Sequence, residues 1–172
     1  TFVARTFDTD RKHLTSVLRA AIEHRGTSLV EIYQNCNIYN DGAFDALKDR
    51  STRDVAVIPL EHGKPILFGP GQSLGVVRDP ATGALRVEEV EKVGLDAVLV
   101  HDIHAEDPTV AFALSRLSSA QTLERSPIGI FRQVQRPTYD DLAREQVESA
   151  RSEQGEGDLT ALLHNADTWT VV

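Results

Sequence analysis

Within the first 34 residues an apolar β-prone run, an amphipathic helical pattern and a second β-prone run follow one another, an order few folds can satisfy. Phe2-Val-Ala-Arg-Thr-Phe7 is aromatic and β-branched and is closed by Asp8, as a short strand is. Leu14, Val17, Leu18, Ala21 and Ile22 then recur at helical spacing and draw one apolar stripe. Asp8, Thr9 or Asp10 can cap that helix. His24 and Arg25 place positive charge in its last turn, and Gly26 suits a left-handed position after it. Ser28-Leu-Val-Glu-Ile-Tyr-Gln34 is nearly continuous in β-formers, which predicts a strand buried on both faces. Strand, helix and strand make a βαβ unit, whose crossover is right-handed almost without exception. The chain is therefore α/β.

Beyond Gln34 the pattern changes. Residues 35–50 are polar, with a turn at Asn40-Asp41-Gly42 and a short helix expected over 43–48. Residues 54–59 and 65–68 flank His62-Gly63, which predicts one hairpin. Residues 75–78 and 85–90 flank Asp79-Pro-Ala-Thr-Gly83, which predicts a second. A buried strand is expected over 97–100, a helix opened by Asp107-Pro108, and a last strand over 127–133. Thr138 and Asp141 have capping-box spacing for a helix running to about Ser149. Residues 152–158 read as a solvated linker, followed by an apolar tail of Leu159, Leu162, Leu163 and Trp169. Three regions result: 1–50 as the βαβ portion, 51–150 as a hairpin-rich α/β region, and 151–172 as linker and tail.

The chain's 18 basic and 26 acidic residues leave a net charge of −8, the wrong sign for unspecific nucleic-acid binding. Five of those negative charges gather between Asp140 and Asp158, where seven acids meet two arginines. No apolar run approaches the ~20 residues that cross a bilayer. One cysteine cannot form an internal disulfide, which favours a reducing, cytoplasmic setting. There is no methionine, and the chain opens at Thr1 directly into a strand-like run, so it is expected to be a piece of a longer protein.

Three features are candidates for chemistry. Cys36 lies just past the carboxyl end of the second β run, where open α/β sheets bind ligands. It reads either as a small buried hydrophobe or as a ligand or nucleophile among the polar, turn-prone Asn35, Asn37 and Asn40. His101-Asp-Ile-His104 carries metal-ligating side chains without a full zinc set, so satisfied loop histidines are the simpler reading. Gly69-Pro-Gly71 lacks the spacing of a phosphate loop and reads as a turn.

The stretch Gly26-Thr-Ser-Leu-Val-Glu-Ile-Tyr-Gln-Asn-Cys-Asn-Ile-Tyr-Asn-Asp-Gly-Ala-Phe44 resembles the β subunit of 2-oxoacid:ferredoxin oxidoreductases, particularly the bacterial 2-oxoglutarate type. Ile58-Pro-Leu-Glu-His-Gly63, Gly75-Val-Val-Arg-Asp79, Leu99-Val-His-Asp102, Pro127-Ile-Gly-Ile-Phe131 and Arg136-Pro-Thr-Tyr139 continue the likeness along most of the chain. The resemblance implies the C-terminal part of a thiamine-diphosphate-binding-type fold: a mainly parallel sheet with an antiparallel hairpin insertion and a C-terminal helix and tail. It implies an enzyme that, with its α subunit, converts 2-oxoglutarate and coenzyme A to succinyl-CoA and CO2 and reduces ferredoxin. The cofactors it implies are thiamine diphosphate, Mg2+ and a [4Fe–4S] cluster, with Cys36 as one cluster ligand. The family's other cysteines and its Gly-Asp-Gly-Asp diphosphate motif would precede Thr1. No catalytic or thiamine-binding residue is therefore assigned, and the chain alone is expected to be inactive and without an assembled cluster. A reading as a subunit-docking module without chemistry is the alternative. Neither reading calls for nucleic acid or membrane.

Overall fold

The computed structural model describes residues 1–118, 124–165, 168, 169 and 171, and these divide into two units, Thr1–Arg136 and Pro137–Val172. In the first unit the βαβ pattern forms as its periodicity dictates. Strand β1 (Phe2–Phe7) and strand β2 (Ser28–Tyr33) pair in parallel, from Phe2 opposite Ser28 to Phe7 opposite Tyr33. Helix α1 (Arg11–Glu23) joins them, capped by Asp10, whose carboxylate accepts the His13 N–H at 3.0 Å and pairs with Arg53 at 2.9 Å. Phe2, Ala4 and Val17 form a buried cluster with Ala20, Ala21, Val30 and Ile130 around it, so α1 seals one face of β1.

Two local expectations fail here. His24 is buried and lies outside the helix as its cap, with extended backbone, so no positive charge sits in the last turn. Strand β2 is not buried on both faces: Leu29 is 62% and Ile32 42% exposed. Strand β2 lies at an edge of its sheet with β1 as its neighbour, and among the described residues no strand pairs along its other side.

The centre of the sheet comes from the far end of the first unit. Strand β7 (Ser126–Gln133) inserts between β1, to which it is antiparallel, and β3 (Val57–Leu60), to which it is parallel. Two of the three ladders are parallel. Gly129 pairs with Leu60 at φ +141°, and a Cβ there would lie 2.6 Å from the Leu60 carbonyl oxygen. Only glycine lets the two backbones approach that closely.

Between β2 and β3 stand two short helices, α2 (Asp45–Lys48) and α3 (Arg53–Ala56). The second sheet is antiparallel, β4 (Leu67–Phe68), β5 (Leu74–Arg78) and β6 (Leu85–Glu89), in that order. The β5–β6 hairpin forms as expected, its loop closed by Asp79, which accepts the Ala81 and Thr82 N–H groups, both at 2.9 Å. The other expected hairpin does not form, because β3 and β4 belong to different sheets. Ile66 instead donates to the Leu99 carbonyl at 2.9 Å and Pro65 bridges Val100. After α4 (Val90–Val93) the expected strand at 97–100 is a bridging segment rather than a ladder, with Val98 buried and Val100 exposed. Helix α5 (Thr109–Ser115) begins one residue later than Pro108 at its first turn would require, and Leu114 anchors it. Ile58, Leu60, Ile66, Phe68, Val76, Leu114 and Phe131 make the main core.

The second unit contains α6 (Tyr139–Gln154) and α7 (Leu159–Leu163). Thr138 caps α6, its hydroxyl accepting the Asp141 N–H at 3.2 Å and donating to the Asp141 carboxylate. The helix runs to Gln154 because nothing in Arg151-Ser-Glu-Gln154 breaks it. It stops where Gly155 takes φ +82°, so the linker expected from residue 152 begins later. Asp158 caps α7. Positions 166, 167, 170 and 172 of the expected tail, and 119–123 of the middle region, lie outside the described residues. No helix among the described residues is long and apolar enough to cross a membrane.

Candidate functional site

Cys36 sits three residues beyond the carboxyl end of β2, in a loop tied at both ends. The Tyr33 ring stacks on Phe44 with centroids 4.7 Å apart, closing the loop's base. Beneath it, the Arg5 guanidinium lies 5.2 Å from the Tyr33 ring and 5.2 Å from Phe131, and pairs with Glu31 at 2.6 Å. Arg5 is only 8% exposed, so its charge is retained by that pair, the rings and a 2.8 Å bond to Ser118 Oγ.

Within the loop, Asn35 spans the polypeptide. Its Nδ2 donates to Asn37 Oδ1 at 2.7 Å and to Asp41 Oδ1 at 2.8 Å, while its Oδ1 accepts the Gly42 N–H at 2.9 Å. The Asn40 N–H donates to the Cys36 carbonyl at 2.9 Å, folding the chain back on itself. The backbone N–H groups of Tyr39, Ile38 and Asn40 hold the Cys36 thiol below its ordinary range. Cys36 is partly exposed, and the side chains of Ile38 and Tyr39 stand 83% and 90% exposed at the loop tip.

That setting suits a thiolate. A [4Fe–4S] cluster takes four cysteine sulfurs, and the described residues contain one, with no group of three or more His, Cys, Asp or Glu arranged to hold a metal ion. The donor chemistry fits one corner of such a cluster and no more.

The histidines after the bridging segment are held differently. His101 is buried, and its Nε2 donates to the Ile130 carbonyl at 2.7 Å, since a carbonyl can only accept. Its Nδ1 is buried without a partner, and burial lowers its pKa, which disfavours the charged ring. His104 Nδ1 donates to the Gln133 carbonyl at 2.8 Å, and the His104 and His62 rings meet edge to face at 4.8 Å. The imidazoles of His101 and His104 are each tied to backbone of β7, so these two join loops to the sheet. Gly69-Pro-Gly71 opens a single 3-10 turn, as its proline suggests. Sequence reasoning singled out Cys36 and not Asn35 or Arg5; the run of asparagines around the cysteine was the available signal.

No protein-family model matches the chain. The 2-oxoglutarate oxidoreductase subunit KorB of Mycobacterium tuberculosis is 50% identical over 173 residues, covering 99% of this chain and 45% of that protein. This chain is similar in sequence to β subunits of 2-oxoacid:ferredoxin oxidoreductases. It spans about 45% of the length of the curated relative that it matches throughout. The 2-oxoacid:ferredoxin oxidoreductase β subunit of a Sulfolobus species is 46% identical over 41 residues, 24% of this chain and 13% of that protein. That of Saccharolobus solfataricus is 44% identical over 41 residues, with the same coverage of 24% and 13%. Among solved structures, a 2-oxoglutarate:ferredoxin oxidoreductase from Magnetococcus marinus superposes with a TM-score of 0.52 over 98% of this chain and 41% of that one. At 18% identity that likeness concerns the fold, which agrees with the mainly parallel α/β reading.

Proposed function

We propose that this chain is the C-terminal part of the β subunit of a 2-oxoglutarate:ferredoxin oxidoreductase. The complete enzyme would convert 2-oxoglutarate, coenzyme A and two oxidised ferredoxins to succinyl-CoA, CO2, two reduced ferredoxins and a proton. It would work in the cytoplasm with an α subunit, thiamine diphosphate, Mg2+ and a [4Fe–4S] cluster. Residues 1–50 would be the C-terminal βαβ portion of its thiamine-diphosphate-binding domain, residues 51–150 the subunit-specific region, and residues 151–172 the linker and tail. The observation that carries the reading is the 50% identity to the mycobacterial subunit along 99% of the chain.

In this reading Cys36 supplies one thiolate ligand. When bound, the cluster carries single electrons toward ferredoxin. The chain's own contribution is to favour the thiolate and hold it in place: the backbone N–H groups of Tyr39, Ile38 and Asn40 lower the thiol's pKa, and the Tyr33–Phe44 stack anchors the loop that bears them. One thiolate cannot assemble a four-sulfur site, so the chain by itself would have no turnover.

The test is to produce the complete β subunit with its α subunit. A brown protein that reduces a dye only with 2-oxoglutarate and coenzyme A is expected, and Cys36→Ser should strip its cluster absorbance. A colourless complex, or one whose colour survives Cys36→Ser, would overturn the assignment. The second outcome would favour a docking module, a reading supported by α6 and α7, which bury no side chain.

A further inference from the structure

Helix α1, the end of β3 and strand β7 border a cleft of about 240 Å³ in the first unit. His13 and Ser16 line it from α1, His62 lines it from the loop after β3, and Val17, Leu60 and Ile130 give it an apolar wall. No carboxylate lines it among the described residues. No residue of the Cys36 loop lines it either, so the cleft is independent of the reading of Cys36.

Hydrogen bonds fix what the two imidazoles present. Thr6 is fully buried, and its Oγ1 meets His13 Nδ1 at 2.8 Å. A buried hydroxyl left without an acceptor is costly, so Thr6 donates to Nδ1 and the neutral His13 ring carries its proton on Nε2. On His62, Nδ1 accepts the Ile103 N–H at 3.4 Å, which again leaves the proton on Nε2. Protonation at Nδ1, opposite the Asp102 carboxylate 3.6 Å away, would keep that Nε2–H in place. Each ring therefore brings one N–H donor that no internal acceptor uses among the described residues. We propose that this cleft binds a small oxyanion-bearing molecule, a carboxylate or a phosphoryl group, whose oxygens accept from His13 Nε2 and His62 Nε2.

The walls and the size narrow the ligand. A short aliphatic body would lie against Val17, Leu60 and Ile130, away from water. The volume falls below the range of about 300–1,000 Å³ that holds drug-sized ligands, which excludes a whole nucleotide. A chain of net charge −8 repels anions in general, so an anion is retained only where donors are gathered and carboxylates are absent.

The experiment uses the full 172-residue chain and follows its imidazole nitrogens by long-range proton–nitrogen NMR. Inorganic phosphate and butyrate are titrated separately. In the free protein Nε2 of both rings is expected to be protonated, and the His13 and His62 signals should move and saturate with at least one probe. Tighter binding of phosphate assigns a phosphoryl ligand, and tighter binding of butyrate assigns a carboxylate with an aliphatic body. His62→Ala removes a half-exposed side chain and should weaken binding about tenfold, the loss expected for one hydrogen bond to a charged group. His13→Asn, which keeps an acceptor for Thr6, should weaken it to a similar degree. Shifts that never saturate with either probe overturn the proposal. So does an Nε2 without its proton on either ring of the free protein, or an affinity unmoved in both variants.

Discussion

In the first unit Ile58, Val76 and Leu114 are sealed from solvent, whereas in the second Leu142, Val147, Leu159 and Leu162 all remain exposed. The apolar spacing of Tyr139, Leu142, Ala143, Val147 and Ala150 along α6 is as regular as that of Leu14 to Ile22 along α1. Helix α1 has a sheet to cover, and Val17 closes on Phe2 and Ala4. Neither α6 nor α7 buries a side chain. The contrast teaches that amphipathic period specifies a helix and its face, while burial requires a second surface to receive that face.

The contrast is sharpest at the core. Phe2→Ala removes a fully buried ring between α1 and the sheet and should destabilise the first unit by about 3–5 kcal/mol, read by chemical denaturation. A loss below about 1 kcal/mol would mean the βαβ face is loosely packed. Next, Gly129→Ala forces a side chain against the Leu60 carbonyl at a φ of +141°. Backbone strain of about 1–3 kcal/mol is expected, with displacement of β3 from β7 visible as faster amide exchange along both strands.

Acid should act on the first unit through its buried imidazoles. Burial holds the half-buried His13 and the buried His24 and His101 below the ordinary histidine value, so the unfolded chain takes up protons that the native chain resists. Stability is then fully present above about pH 6.5 and falls as pH drops below it, by at most about 1.4 kcal/mol per pH unit for each group. His101→Gln keeps an N–H for the Ile130 carbonyl and should flatten that slope; an unchanged slope would assign the acid sensitivity elsewhere. The smallest effect belongs to the second unit. Val147→Ala should leave stability within about 0.5 kcal/mol and slightly raise helix content, because alanine is the better helix former. A large loss on melting would show that α6 is covered after all.

Local order was readable where the determinants are neighbours in sequence. Phe2 to Phe7, the α1 stripe and the Asp79 turn all formed because their signals lie within one or two turns of chain. What failed depends on distant partners. Residues 57–60 could not be told from one arm of a hairpin, because their real partner is β7, some 70 residues on by the Ile58–Pro127 pairing. The β-formers of Ser28–Tyr33 were read as two-sided burial, but edge position is a property of the sheet. His24 looked like a helix-end charge, yet it folds inward beside the Phe2 ring, 5.9 Å away, and burial lowers its pKa. At the site, the polar, turn-prone asparagines marked the Cys36 loop as more than core. The bonds by which Asn35 joins positions 37, 41 and 42 emerge only when the loop closes.

The sequence alone determined the α/β class, the βαβ start, the capped helices and the position of Cys36 past a strand end, because short-range sterics, capping and periodicity govern each of these. Tertiary structure decided the insertion of β7 between β1 and β3 and the exposed edge at β2. Those are long-range pairings, and their energy is set by which surfaces finally meet rather than by any residue's own preference.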